Sequence, residues 1–195
     1  MKQVQIDHDV DILRQSLGVL PEAMANPPFV IVSGLPGTGK SFFSRKLAER
    51  TPFCIVESDA MRKTLFPSSD YSAGESARLF TACHKVIEGL LDKGIPLIFD
   101  ATNLSERHRE YLYRISDKTG ANLILVRIEA SQEIAYQRLM LRSDKSSPDD
   151  NSGAGVDIYE RMTSSVEKIK RNHFAVDTSR DIAPVIDKII RIINH

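Results

Sequence analysis

The chain has 195 residues, 42% hydrophobic and 27% charged, enough for one domain with its own core. Lys+Arg and Asp+Glu both number 26, so the formal net charge is zero, which argues against bulk coating of nucleic acid through its phosphates. Cys54 and Cys83 lack disulfide or zinc spacing, no apolar signal core opens the chain, and no run of about 18 apolar residues is present, so a soluble, cytoplasmic protein without membrane contact is the expectation.

Ile6, Val10, Leu13, Leu17 and Leu20 form one apolar stripe at helical spacing, closed by Pro21 and the Asn26-Pro27-Pro28 cluster. Phe29 to Val32 is a short apolar run rich in β-branched residues, the pattern of a strand buried on both faces. Lys40 to Arg50 reads as a helix with Phe43 and Leu47 inward, Phe53 to Val56 as a strand and Asp59 to Phe66 as a short helix. After a loop from Pro67 to Tyr71, Ser72 and Glu75 stand at capping-box spacing. They open a helix with Phe80, His84, Ile87 and Leu91 on its inner face, closed by Lys93-Gly94.

Ile95 to Phe99 is the next strand, and Ser105 to Thr119 a helix ended by Gly120. Leu123 to Ile128 and Ser131 to Arg142 repeat the strand-helix pair. The polar stretch from Ser143 to Gly155 reads as a mobile loop. A helix from Val156 to Asn172, a strand from His173 to Val176 and a helix from Asp181 to Ile193 close the chain. Strands alternating with helices imply right-handed crossovers and a parallel sheet covered on both faces. Residues 1–28 read as an N-terminal helix and linker appended to one α/β domain spanning 29–195.

Gly34-Leu35-Pro36-Gly37-Thr38-Gly39-Lys40-Ser41 satisfies G-x-x-x-x-G-K-[ST] between a strand and a helix, the context that gives the pattern its meaning. Backbone N–H groups of such a loop surround a β-phosphate, and the helix behind it favours negative charge. Gly34, Pro36, Gly37, Thr38, Gly39, Lys40, Ser41 and Phe42 are therefore the candidate ATP contacts. Lys40 is expected on the β- and γ-phosphates and Ser41 on Mg²⁺.

In sheets of this kind ligands sit outside the carboxyl ends of the strands. One strand end carries Asp59, with Arg62 one helical turn on. The pair reads either as a helix cap with an exposed arginine or as a base and an anchor for an acceptor hydroxyl. Arg62 hints at an anionic acceptor. The run Leu97-Ile98-Phe99-Asp100 resembles a Walker B segment, in which Asp100 serves Mg²⁺, although a strand-end cap has the same pattern. Thr102 and Asn103 follow within reach of an acceptor pocket. Arg138 and Arg142 share a helix face before the polar loop, as lid arginines would, or as solvated arginines beside Asp144 would. Arg127, within a strand, is a weaker candidate, and His84, His108 and His173 show no site spacing.

Together the P-loop, Ser58-Asp59-x-x-Arg62, Phe99-Asp100-Ala101-Thr102-Asn103 and the Arg138/Arg142 pair resemble the P-loop kinases that include polynucleotide 5′-hydroxyl kinases and zeta toxins, over about residues 29 to 180. The resemblance implies a three-layer α/β/α fold with a five-stranded parallel sheet of order 2-3-1-4-5 and a helical lid, here about residues 138–156. It also implies Asp59 as general base, Arg62 as acceptor anchor and Arg138 or Arg142 as the phosphate clamp. The expected reaction is transfer of the γ-phosphoryl group of ATP, with Mg²⁺, to a hydroxyl of a nucleic-acid end or a small molecule, with no obligate protein partner evident. The alternative is a regulatory ATPase or a nucleotide-binding module. Against it, Ala101 rather than a water-polarising Gln or Glu follows Asp100.

Overall fold

The computed structural model describes residues 3–144 and 155–194, with the side chains of 142–144 outside that description. Five strands, β1 (Pro28–Ser33), β2 (Cys54–Glu57), β3 (Leu97–Asp100), β4 (Asn122–Glu129) and β5 (Phe174–Asp177), form one sheet. All pairings are parallel and the order is β2-β3-β1-β4-β5, as the resemblance implied. The helices are α1 (Gln3–Ser16), α2 (Lys40–Ala48), α3 (Ser58–Leu65), α4 (Ala73–Leu91), α5 (Glu106–Thr119), α6 (Gln132–Asp144), α7 (Val156–Thr163) and α8 (Ala183–Ile193).

The central strands β1 and β3 are buried along their length because each face has its own core. Along β1, Phe29 and Ile31 join the layer made by α1, α3, α4 and α5, while Val30 and Val32 join the layer of α2 and α8. In β3, Leu97 and Phe99 face the first layer and Ile98 the second. This two-residue alternation leaves no face of β1 or β3 for solvent. Ile6, Val10 and Leu13 of α1 are buried within the first layer. Asp9, also buried, receives two hydrogen bonds of 2.6 Å from the Arg78 guanidinium of α4.

Three elements differ from the sequence reading. The first helix stops at Ser16, just before Gly18, and leaves Val19 and Leu20 exposed. On α4 the buried face holds Leu79, Ala82, Cys83, Val86, Ile87, Leu90 and Leu91. Phe80 and His84 lie beside it, half-buried, so the expected stripe was one position off at its N-terminal half. The expected helix to Asn172 ends at Thr163, because the following backbone is claimed by tertiary partners. Glu167 N–H donates to the Leu104 carbonyl at 3.0 Å, its carboxylate accepts from Glu106 N–H at 2.6 Å, and its carbonyl accepts from Arg109 at 2.8 Å. The loop expected at Ser143–Gly155 falls, for residues 145–154, outside the described residues.

Candidate active site

Strand order alone brings the chemistry together. β1 and β3 are adjacent and β2 pairs with β3, so the P-loop, Asp100 and Glu57 emerge side by side at the carboxyl edge of the sheet. The P-loop turns through left-handed backbone at Gly37 (φ 77°) and Gly39 (φ 94°). A Cβ on Gly37 would lie 2.6 Å from the Ala135 carbonyl oxygen, so both conformation and space demand glycine there. Gly39 caps α2 without a side chain. That leaves the N–H groups of the first turn facing the cavity, the arrangement that receives phosphate. Lys40 bridges the loop, its Nζ donating to the Leu35 carbonyl at 3.0 Å.

A cavity of about 570 Å³ opens above this loop, lined by Pro36, Gly37, Gly39, Lys40 and Ser41 on one side. Glu57, Asp59, Arg62, Asp100 and Thr102 also line it. Asp100 is buried, and its Oδ2 has no hydrogen-bond partner. A buried unpartnered carboxylate oxygen beside a serine hydroxyl is what a divalent cation requires of its ligands, so these residues fit Mg²⁺. Burial pushes the Asp100 carboxyl above its ordinary range, while Lys40 and the Ser41 and Ser44 hydroxyls pull it back. Asp59 is also raised by burial, with Lys40 opposing. Glu57 is raised by burial and by the neighbouring Asp100 and Asp59, and accepts from Ser41 Oγ at 3.3 Å.

Arg62 points into the cavity but is not free to anchor an anion. Its Nη1 is paired with the Glu75 carboxylate, and its Nη2 donates to Ser76 Oγ at 3.2 Å. The capping box is half formed as a result. Glu75 N–H donates to Ser72 Oγ at 3.2 Å, but the Ser72 N–H goes to Asp70 Oδ1 at 2.8 Å instead of to Glu75.

Arg138 is directed at the outside of the P-loop. Its Nη1 donates to Thr178 Oγ1 at 2.8 Å and to the carbonyls of Thr38 and Gly37 at 3.3 and 3.4 Å. Arg142 lies one turn further along α6, and its side chain is outside the described residues. Thr38 is buried, its hydroxyl donating to Leu35 O at 2.8 Å, and Phe42 is 48% exposed. Asn103 does not reach the acceptor side: its amide donates to the Val32 carbonyl at 2.7 Å, fixing the loop after β3. Arg127 pairs with Glu129 at 2.8 Å, lining a separate cavity behind the P-loop.

Several lining residues escaped the sequence reading. Glu57 had a signal, its place at a strand end. Arg161, Ile158 and Met162 come from α7, beyond the polar loop, and carry no local signal. Tyr71 does carry a backbone mark, φ 54°, visible only in the structure.

The sequence model of the AAA domain family matches residues 29–169, from β1 to beyond α7. The chain belongs to the AAA domain family. The AAA domain shares its fold with solved P-loop proteins. A protein proposed to be a kinase from Chloroflexus aurantiacus superposes with a TM-score of 0.67 at 19% identity, covering 88% of this chain and 98% of that one. Kti12 from Chaetomium thermophilum, solved with ADP-AlF3, gives 0.68 at 18% identity, covering 85% and 99%. The Mycobacterium tuberculosis APS kinase, solved with AMPPNP and APS, gives 0.64 at 18%, covering 87% and 99%. At these identities the likeness is one of fold, the three-layer P-loop kinase fold. Among the described residues no helix is long and apolar enough to cross a membrane.

Proposed function

We propose that this AAA domain is an ATP-dependent phosphotransferase that moves the γ-phosphoryl group to a hydroxyl of a small molecule or a nucleic-acid end. The observation that carries the reading is Asp59, a carboxylate raised by burial in the same cavity as Lys40, Ser41 and Asp100. A hydrolase commonly carries a water-polarising Gln or Glu after the metal-side acid, where this chain has Ala101, whereas Asp59 stands on the far side of the cavity. A kinase uses a base there, because the acceptor hydroxyl must lose its proton.

In this reading the P-loop N–H groups and Lys40 hold the β- and γ-phosphates, and Ser41 and Asp100 hold Mg²⁺. Held there by Ser41 and Asp100, Mg²⁺ would supply neutralisation of the charge that develops on the phosphates. Asp59 accepts the acceptor's hydroxyl proton, the oxygen bonds to γ-phosphorus, and the bond from γ-phosphorus to the β–γ bridging oxygen breaks to release ADP. Glu57, beside Asp100 and bonded to Ser41, orients the metal-side serine. Arg161 approaches the phosphates from α7, and Arg138 stiffens the P-loop from behind.

The test is transfer of label from γ-labelled ATP to a panel of hydroxyl acceptors, compared with release of free phosphate. Acceptor-dependent transfer that collapses in Asp59→Asn supports the kinase. Equal phosphate release with and without acceptors, unaffected by Asp59→Asn, would instead establish the ATPase reading.

A further inference from the structure

The cavity extends past Asp59 into a compartment that the phosphates of ATP do not need, walled by Arg62, Tyr71, Ser76, Phe80, Ile158 and Met162. Its charge balance is unusual for a site that would hold a phosphorylated acceptor. The Arg62 guanidinium is spent on Glu75, and both side chains are less than a tenth exposed. Glu75 accepts further hydrogen bonds from the Ser69 hydroxyl and from Asp70 N–H, the latter at 3.0 Å. Burial alone would raise the Glu75 carboxyl, but the bonds from Ser69 and Arg62 outweigh it and hold the carboxyl below its ordinary range. The pair is therefore ionised and neutral in sum. Asp59, which Lys40, Arg62 and Lys63 partly offset, and Asp70 add carboxylates to the same lining.

The other cations lining the cavity, Lys40 and Arg161, are matched by the roughly two negative charges a triphosphate keeps after binding one Mg²⁺. Among the described residues that line the cavity, no further cation stands opposite a second phosphate carried by the acceptor.

The compartment's other property is a flat apolar wall. Tyr71 has one ring face covered by the Arg62 guanidinium, 4.8 Å from the ring centroid, while the residue as a whole remains 50% exposed. Its φ of 54° is a conformation non-glycine residues rarely adopt, costing on the order of 1 kcal/mol. The turn is held by Ser72 N–H donating to Asp70 Oδ1 at 2.8 Å and by Tyr71 N–H donating to Ser69 Oγ at 3.4 Å. Strained backbone thus holds a half-exposed aromatic ring in the cavity wall. Phe80, with Ile158 and Met162 one turn apart on α7, supplies further apolar surface.

We infer that the acceptor is an uncharged hydroxyl compound carrying a flat ring, which stacks on Tyr71 and packs against Phe80, Ile158 and Met162 with its hydroxyl at Asp59. The inference rests on the phosphotransferase reading above and excludes phosphorylated sugars and polynucleotide ends as the preferred acceptor.

The experiment is calorimetric binding to the full chain with Mg²⁺ and a non-hydrolysable ATP analogue. The probes are nucleosides and aryl glycosides, the same compounds bearing one added phosphate, and ringless polyols. The tightest binder is expected among the uncharged ring compounds, at least about tenfold tighter than its phosphorylated counterpart. Tyr71→Ala weakens the ring compounds and leaves the weak polyols unchanged. Glu75→Gln releases the Arg62 charge and shifts the preference by about tenfold toward the phosphorylated counterparts. Phosphorylated members binding as tightly as the uncharged ones, ringless polyols matching them, no binding by any ring compound, or an unchanged preference in both variants would each overturn the inference. Label transfer is measured separately. Tight binding of ring compounds without transfer would defeat the kinase reading while leaving the ligand class standing.

Discussion

Glu57 and Asp100 stand directly opposite one another in the register of β2 and β3, two carboxylates on adjacent strand ends with Asp59 one helical step beyond. Burial and mutual repulsion raise Glu57, and burial raises Asp100. Folding without ligand therefore holds negative charge where it is unfavourable, and a bound cation relieves it.

For carboxyls raised in the folded state, stability is fully present below their unfolded pKa and is lost as pH rises through the raised values. Asp100→Asn is expected to stabilise the ligand-free protein by about 1–2 kcal/mol near neutral pH. That corresponds to a rise of roughly 2–4 °C in Tm per kcal/mol, and it should abolish the added stabilisation by Mg²⁺ with ATP. Thermal melts from acid to neutral pH, with and without Mg²⁺–ATP, read both effects.

Asp59→Asn is expected to lower kcat by about 10²–10⁴-fold while ATP still binds. Because burial raises this carboxyl against the opposing pull of Lys40, the acid limb of kcat/KM in the parent protein should lie above the ordinary aspartate range. A pH–rate profile and isothermal ATP titration test this pair of outcomes.

Arg161→Ala is expected to cost about 10- to 100-fold in kcat, the worth of a charge-assisted contact to a phosphate. Its exposed position on α7 predicts no loss of Tm. Steady-state kinetics beside a thermal melt separates the two readouts.

Arg138 acts through the loop it braces. Arg138→Ala should raise the KM for ATP by about tenfold with a smaller change in kcat, since Thr178 loses its guanidinium partner and the Gly37 and Thr38 carbonyls lose theirs. Arg138→Lys keeps the charge but not the fork of donors and should rescue only part of the effect. Kinetics at varied ATP for both variants decides it.

The buried Asp9 carboxylate of α1 makes a different demand. Arg78→Ala leaves it without its guanidinium and should cost on the order of 2 kcal/mol, read by urea denaturation. Hydrogen bonds from Arg78, working against burial, hold the Asp9 carboxyl below its ordinary range. The pair's contribution is thus present above the unfolded pKa and fades as pH falls through the lowered one, so the variant's deficit should shrink in acid.

The sequence by itself determined the scaffold and the donor half of the site. Apolar β-branched runs could be satisfied only as strands covered on both faces, and a glycine loop followed by Lys40 and Ser41 has one geometry in which its N–H groups are useful. Periodicity failed where a helix boundary depended on a distant partner. Thr163 ends α7 because Glu167 is taken by Leu104, Glu106 and Arg109, more than fifty residues away in the chain. The side of the cavity across from the P-loop was legible in residue type at Asp59 but not in the pairing of Arg62. An arginine one turn from an aspartate looks like an anion anchor until the tertiary fold sets Glu75 against it. Local spacing governs hydrogen bonds within a turn or two, whereas the neutralisation of a buried charge is decided by whichever chain segment packs across from it. Only the tertiary structure could set Glu75 against Arg62 and bring Tyr71 and Arg161 to the cavity that Gly34 to Ser41 had announced.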